Sequence, residues 1–215
     1  MGRSLKYEIP GIDPRVPIDE IAEKGWSGVF GGRADARRVL EIGFGRGEFL
    51  LAMAEREPEV QFVGIEVSFK RTLKMARKVA RAGLDNVRLV EGRAEEAIRL
   101  VFEPGSLSAI WINFSDPWPK ARHAHRRVIR TGFVADAARA LAAGGRLQIA
   151  TDDVPYAHQI DEVLSAESAL ANVHAPWPFV SEVEGRTRTG YEEQWRAEGR
   201  PMHFFTYAPA GGSEV

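Results

Sequence analysis

The chain has 215 residues, 29 basic and 30 acidic side chains, a net charge of -1 and no cysteine. One α/β domain is the default at this length, and the missing thiols exclude a disulfide framework, a thiolate zinc site and a cysteine nucleophile. Neither an apolar leader nor a run near the ~18 apolar residues of a membrane span is present, so a soluble, cytoplasmic protein is expected, and near-neutral charge argues against a uniformly basic coat while allowing a local basic patch.

Residues 1–35 are rich in proline and glycine and read as a partly ordered lead-in with one short helix near 18–24. Strand-length apolar runs follow at 38–42, 61–66, 87–90, 108–114 and 145–151. Helical patterns lie at 47–56, 68–82, 94–101, 131–142 and 155–166. The clearest is 68–82, where Phe69, Leu73, Ala76, Val79 and Ala80 form one stripe and Lys70, Lys74, Arg77, Lys78 and Arg81 lie largely off it. Residues 36–209 therefore predict one α/β domain with a mostly parallel sheet and helices on both faces. The tail at 210–215 should fray. Ligands of such sheets bind beyond the carboxyl ends of the strands.

The first strand-to-helix loop reads Glu41-Ile42-Gly43-Phe44-Gly45-Arg46-Gly47-Glu48. It departs from the dinucleotide fingerprint G-x-G-x-x-G, and charge separates the two more firmly than spacing. A pyrophosphate favours a helix N-terminus free of carboxylates, whereas Glu41 and Glu48 bracket this loop. A cationic ligand suits it better, and S-adenosyl-L-methionine has that character through its sulfonium and ammonium groups. Glu66 ends the second strand, where an acid accepts both ribose hydroxyls. Arg93 and Ala94, after the third strand, would flank the adenine.

The fourth strand runs into Asn113-Phe114-Ser115-Asp116-Pro117-Trp118-Pro119-Lys120, and its two prolines should hold Asp116 and Trp118 rigidly beside the ligand. Lys120, Arg122, Arg126, Arg127 and Arg130 follow with no acid among them. Beside a binding crevice, such a run points to a polyanionic substrate. Arg186, Arg188, Tyr191, Arg196 and Arg200 mix cations with aromatics in a second stretch suited to RNA, or to a surface hairpin or helix in which Trp195 merely packs.

The segments V-L-E-I-G-F-G-R-G, F-V-G-I-E, I-N-F-S-D-P-W-P-K-A-R-H, A-T-D-D-V-P-Y-A and R-T-G-Y-E resemble the tRNA (guanine-N7-)-methyltransferase family from about Val39 to Tyr207. The resemblance implies a class I, Rossmann-like methyltransferase fold with a mostly parallel seven-stranded sheet. It implies methyl transfer from S-adenosyl-L-methionine to N7 of guanosine 46 in the tRNA variable loop. Glu41, Gly43, Gly45, Glu66, Arg93, Ala94 and Asp116 become cofactor-binding positions, and Asp116 also the catalytic one. Lys120, Asp152, Thr189, Gly190, Tyr191 and Glu192 match substrate-binding positions, and Arg122, Arg126 and Arg127 are candidates for tRNA phosphates. No metal and no membrane is implied, and the protein is expected as a monomer or homodimer. The sequence departs from the family pattern at Arg93, where backbone groups of Arg93 and Ala94 are the candidate substitutes, and at Gly190 and Gln194, for which Arg186, Arg188 and Arg196 are candidate compensations.

Guanine N7 carries an in-plane lone pair and no proton, so attack on a sulfonium methyl needs alignment rather than a base. Asp116 is accordingly expected to orient the guanine, through its N1 and N2 hydrogens, and to offset the positive charge that develops. Trp118 stacks on the base or packs beneath it. Asp152 is a candidate N-cap for the helix near Pro155 as well as a substrate contact. His158, His174 and His203 are isolated and read as packing or solvated residues. Two other readings compete: a methyltransferase acting on an exocyclic base amine, which normally carries Pro-Pro before its aromatic, and a non-catalytic RNA-binding protein on the same fold.

Overall fold

The computed structural model describes residues 8–32 and 35–211. The start of the lead-in at 1–7, residues 33–34 and the tail at 212–215 lie outside the described residues. Seven strands, β1 (Arg38–Ile42), β2 (Gln61–Glu66), β3 (Val87–Glu91), β4 (Leu107–Asn113), β5 (Leu141–Thr151), β6 (Leu170–Asn172) and β7 (His203–Pro209), form one sheet in the order β3-β2-β1-β4-β5-β7-β6. The first five pair in parallel, and β7 runs antiparallel to both β5 and β6. Strand order reverses between β1 and β4, which opens a crevice at their carboxyl ends.

β1 and β2 are buried along their whole length, as parallel strands covered on both faces must be. Alternation sends Leu40 and Ile42 into one core and Val39 into the other. The first core is closed by α1 (Ile18–Val29), α4 (Ala94–Val101), α5 (Thr131–Ala140) and α6 (Val154–Ser165). The second is closed by α2 (Glu48–Arg56) and α3 (Phe69–Ala82), whose Leu50, Met53, Met75 and Val79 pack on Phe62. Glu41, Glu66 and Asn113 share the strand parity of Val39, so their side chains belong to this second face.

Boundaries differ most from the sequence reading in the lead-in and at the start of β5. The helix expected near 18–24 resumes beyond Gly25, which adopts φ 63°, and places Trp26 and Phe30 in the core. The indole of Trp26 donates to the Val101 carbonyl at 2.6 Å. Residues 14–16 of the lead-in add to the edge of β3 through paired backbone bonds with Leu89. The strand expected at 145–151 begins at Leu141, so the helix expected at 131–142 ends at Ala140, and Gly144 and Gly145 fall in a register shift within β5.

Candidate active site

A cleft of about 380 Å³ opens at the carboxyl ends of β1, β2 and β4. Its floor is the glycine loop, in which Gly43, Gly45 and Gly47 take φ of 67°, 55° and 73°. Only glycine adopts these left-handed angles without strain, and the turn holds the Gly43 amide on the Ile65 carbonyl at 2.8 Å. The cradle is therefore tied to β2 before any ligand arrives.

Two carboxylates face it. Glu66 is buried; its Oε2 accepts from the Gly45 amide at 3.2 Å, its Oε1 accepts from the Ser68 amide at 3.0 Å, and Arg71 approaches at 3.5 Å. Glu41 is also buried, with Oε1 accepting from Asn113 Nδ2 at 3.1 Å and Oε2 making no hydrogen bond among the described residues. Burial pushes the Glu41 carboxyl up to about 7, against the pull of the Asn113 hydrogen bond, the Arg186 charge and the Leu50 backbone amide. A buried acid with an unfilled acceptor site suits a ligand that brings positive charge and donors.

Asn113 carries the arrangement outward. Its Oδ1 accepts from Arg186 Nη2 at 2.6 Å, and Arg186 Nε donates to Glu192 Oε2 at 3.2 Å. The guanidinium is almost wholly buried among the rings of Phe49, Trp111 and Phe204, at 5.8, 5.3 and 5.0 Å. Glu192 also meets Arg196 at 3.2 Å, and Arg196 pairs with Glu182. Arg186 is thus engaged inside the protein, while Arg196 stays partly exposed between Glu192 and Glu182. The Glu192 carboxylate is fully buried and acts on the cleft by fixing α7 (Gly190–Ala197).

That helix is the second wall. Thr189 is its N-cap, accepting from the Glu192 amide at 3.0 Å, so the T-x-x-E run is half of a capping box whose acid is redirected to two arginines. Gly190 comes so close to α2 that a Cβ would lie 2.7 Å from Glu48 Oε2, which accepts the Gly190 amide at 3.2 Å. The departure at 190 therefore coincides with a helix-to-helix contact. Tyr191 and Trp195 line the cleft with centroids 5.5 Å apart, and Phe114 meets Trp195 edge-on at 5.2 Å. Arg46 of the glycine loop lies 4.8 Å over the Tyr191 ring.

Asp116 is exposed at the cleft mouth, between Phe114 at φ 53° and Trp118 at φ 43°. Left-handed conformations at two bulky residues are strained and persist only where surroundings impose them. Arg127 supplies part of that constraint: its Nε donates to the Pro117 carbonyl at 2.7 Å, its Nη2 donates to the Trp118 carbonyl at 3.4 Å, and it lies 5.3 Å over Tyr156. Arg127, half-buried, is thereby engaged with the turn it braces. Arg126 is exposed, 4.8 Å over the Trp118 ring, while Arg122 is exposed beside His123. The Trp118 ring faces Arg126 and the edge of His123, so the aromatic cleft wall is Tyr191, Trp195 and Phe114.

The remaining positions lie around this centre. Lys120 is exposed and makes no ion pair among the described residues. Asp152 accepts from Arg200 at 2.9 Å, and the cap of α6 is its neighbour Asp153, which accepts from the Tyr156 amide at 2.8 Å. Arg93 is exposed at the start of α4, 3.9 Å from Glu95, and Ala94 is buried. His203 is buried, its ring 3.2 Å from the Thr151 carbonyl. Among the described residues no group of three or more His, Asp or Glu is placed to hold a metal ion, and no helix is long and apolar enough to cross a membrane.

Comparison with known proteins adds a family. The family described as "Putative methyltransferase" matches residues 35–205. A tRNA (guanine-N(7)-)-methyltransferase of Leifsonia xyli is 41% identical over 81% of this chain and 77% of its own. The protein of the same name from Thermotoga maritima is 38% identical over 91% of this chain and 59% of its own. Among solved structures, an aminoglycoside-resistance methyltransferase superposes with a TM-score of 0.60 over 90% of this chain and 93% of its own, at 16% identity, which bears on the fold alone.

Proposed function

From its membership of the tRNA (guanine-N7-)-methyltransferase family, we propose that this chain methylates N7 of guanosine 46 in the variable loop of tRNA, in the cytoplasm, with S-adenosyl-L-methionine as donor. The observation that carries the reading is one cleft with opposed halves. Buried carboxylates at Glu41 and Glu66 line one side, and Asp116 stands with the Tyr191–Trp195 aromatics on the other.

The residues fit such a donor. The unpartnered Glu41 Oε2 is an acceptor awaiting a donor group, and open space beyond the Gly43 backbone leaves room for a ligand. Glu66 stands at the strand end where ribose hydroxyls are accepted. When bound, the donor supplies an electrophilic methyl on a sulfonium. Everything else falls to the protein's own groups. Tyr191 and Trp195 offer stacking faces to an unpaired base. Asp116 accepts from the guanine N1 and N2 hydrogens, aligns N7 in-line with the methyl, and offsets the charge that grows on the ring. No side chain need abstract a proton, because N7 holds none.

Incubating the protein with labelled S-adenosyl-L-methionine and unmodified tRNA, then mapping the nucleoside, should give N7-methylguanosine at position 46. Label confined to N6-methyladenosine, or no label, would refute it. Asp116→Asn should lower turnover by about 10²-fold or more at saturating tRNA and donor, the scale of a lost transition-state electrostatic contact. Near-normal turnover would remove Asp116 from the chemistry.

A further inference from the structure

The second core leaves one strongly charged surface, of which Arg71 reaches the cleft and the rest lies outside it. α3 reads FKRTLKMARKVARA, with Lys70, Arg71, Lys74, Arg77, Lys78 and Arg81 and no acid. Its apolar side is sunk into the core, where Leu73, Met75, Ala76 and Val79 are at most 1% exposed. Lys70, Lys74 and Arg81 are exposed and make no ion pair or side-chain hydrogen bond among the described residues. Several cations elsewhere on the surface are neutralised, as in Lys24 with Glu20, Arg37 with Glu57, and Arg200 with Asp152, and the other exposed cations without an ion pair among the described residues include Lys120, Arg122 and Arg126 beside the cleft.

This arrangement opposes helix stability in two ways. Like charges at i and i+4, as in Lys70–Lys74, Lys74–Lys78 and Arg77–Arg81, repel one another. Lys70 and Arg71 also sit in the first turn, at the positive end of the helix dipole, with no acid beside them on the helix. Nothing within α3 offsets either effect, whereas an external polyanion would offset both.

The stripe joins the cleft. Lys78 Nζ donates to the Arg46 carbonyl at 2.8 Å, Arg46 stacks on Tyr191 at 4.8 Å, and Arg71 reaches Glu66. From Lys70 to Arg81 it extends about 16 Å at 1.5 Å per residue, enough to meet several phosphates. Its apolar side is unavailable for insertion into a bilayer, so a basic amphipathic helix of this kind does not have the membrane-surface geometry. We propose that the outer face of α3 is a docking surface for the tRNA sugar-phosphate backbone, carrying the substrate away from the cleft along the α2–α3 side of the sheet. The proposal rests on the reading of the protein as a tRNA methyltransferase, and it adds a phosphate-binding surface to a cleft whose Arg186 is held in an internal ion pair.

The test is the salt dependence of tRNA binding to the full-length protein. The triple variant Lys70→Ala/Lys74→Ala/Arg81→Ala should reduce the slope of log K against log salt by about 2–3, since each phosphate contact contributes about 0.7–0.9. Donor affinity should not change, and the thermal midpoint should be unchanged or higher because repulsion is relieved. Arg99→Ala, on α4 across the sheet, should leave the slope as it is. A triple variant with the wild-type slope overturns the proposal, as does one whose only loss is in binding to anionic lipid vesicles. Failure of the underlying reading is separately visible, because the wild-type protein would then form no N7-methylguanosine in the same tRNA.

Discussion

Glu41 shows how a single residue can be poised by its surroundings. Its carboxyl is raised from 4.5 to about 7 because desolvation outweighs the Asn113 hydrogen bond and the Arg186 charge. In the free protein it therefore contributes stability below pH 4.5 that is lost as the pH rises toward and through 7, and a shift of that size corresponds to about 3 kcal/mol. Glu41→Gln should consequently raise the melting temperature of the donor-free protein at pH 8, with the difference vanishing near pH 4. The same variant should bind donor more weakly and lose the gain in donor affinity that the wild type shows as Glu41 ionises. Calorimetry of donor binding from pH 5.5 to 8.5 checks both directions. The E-x-G-x-G-x-G run marks Glu41 in the sequence, but its unpartnered oxygen and its coupling to Asn113 arise from the packing of β1 against β4.

Among the elements, α7 depends most on long-range partners. It has only eight residues, and its Thr189 cap is legible as T-x-x-E; an isolated helix of this length is marginal. What holds it is Glu192, clamped between Arg186 and Arg196 in the interior. Breaking one side of a buried pair leaves a charge uncompensated, at a cost of about 3–5 kcal/mol. Arg186→Met should approach the lower end of that range, because Arg196 stays in place, and should weaken tRNA binding as the Tyr191–Trp195 wall loosens. Arg186→Met/Glu192→Gln should recover part of the stability, and urea unfolding of both variants measures this. In the sequence Arg186 reads as one of several RNA-facing cations, since nothing local tells a buried arginine from an exposed one; three aromatic rings and a carboxylate make that choice only on folding. β6 and β7 are similarly weak in the sequence, β6 because it is three residues long and β7 because its pairing with β5 is antiparallel and remote.

Over the whole molecule, a net charge of -1 conceals a separation of charge. Carboxylates gather at the strand ends inside the cleft, while unpaired cations lie outside it on α3 and on the short 3-10 helix at Ala121–Arg126. Binding to a polyanion should therefore fall steeply with salt despite the negative total. Arg126→Ala should lower the slope by about 0.7–0.9, whereas Arg127→Ala should leave the slope unchanged and slow methyl transfer by releasing the Pro117–Trp118 turn; single-turnover rates and salt titrations separate the two. By itself the sequence determined the five parallel strands, their helices, the glycine loop and the acids at its edges, because these are written in local periodicity and in the charge of contiguous residues. Only the tertiary structure decided which of its arginines face solvent. A guanidinium is neutralised by whatever carboxylate, carbonyl or ring the fold brings beside it, and for Arg127 and Arg186 those partners include residues from distant parts of the chain.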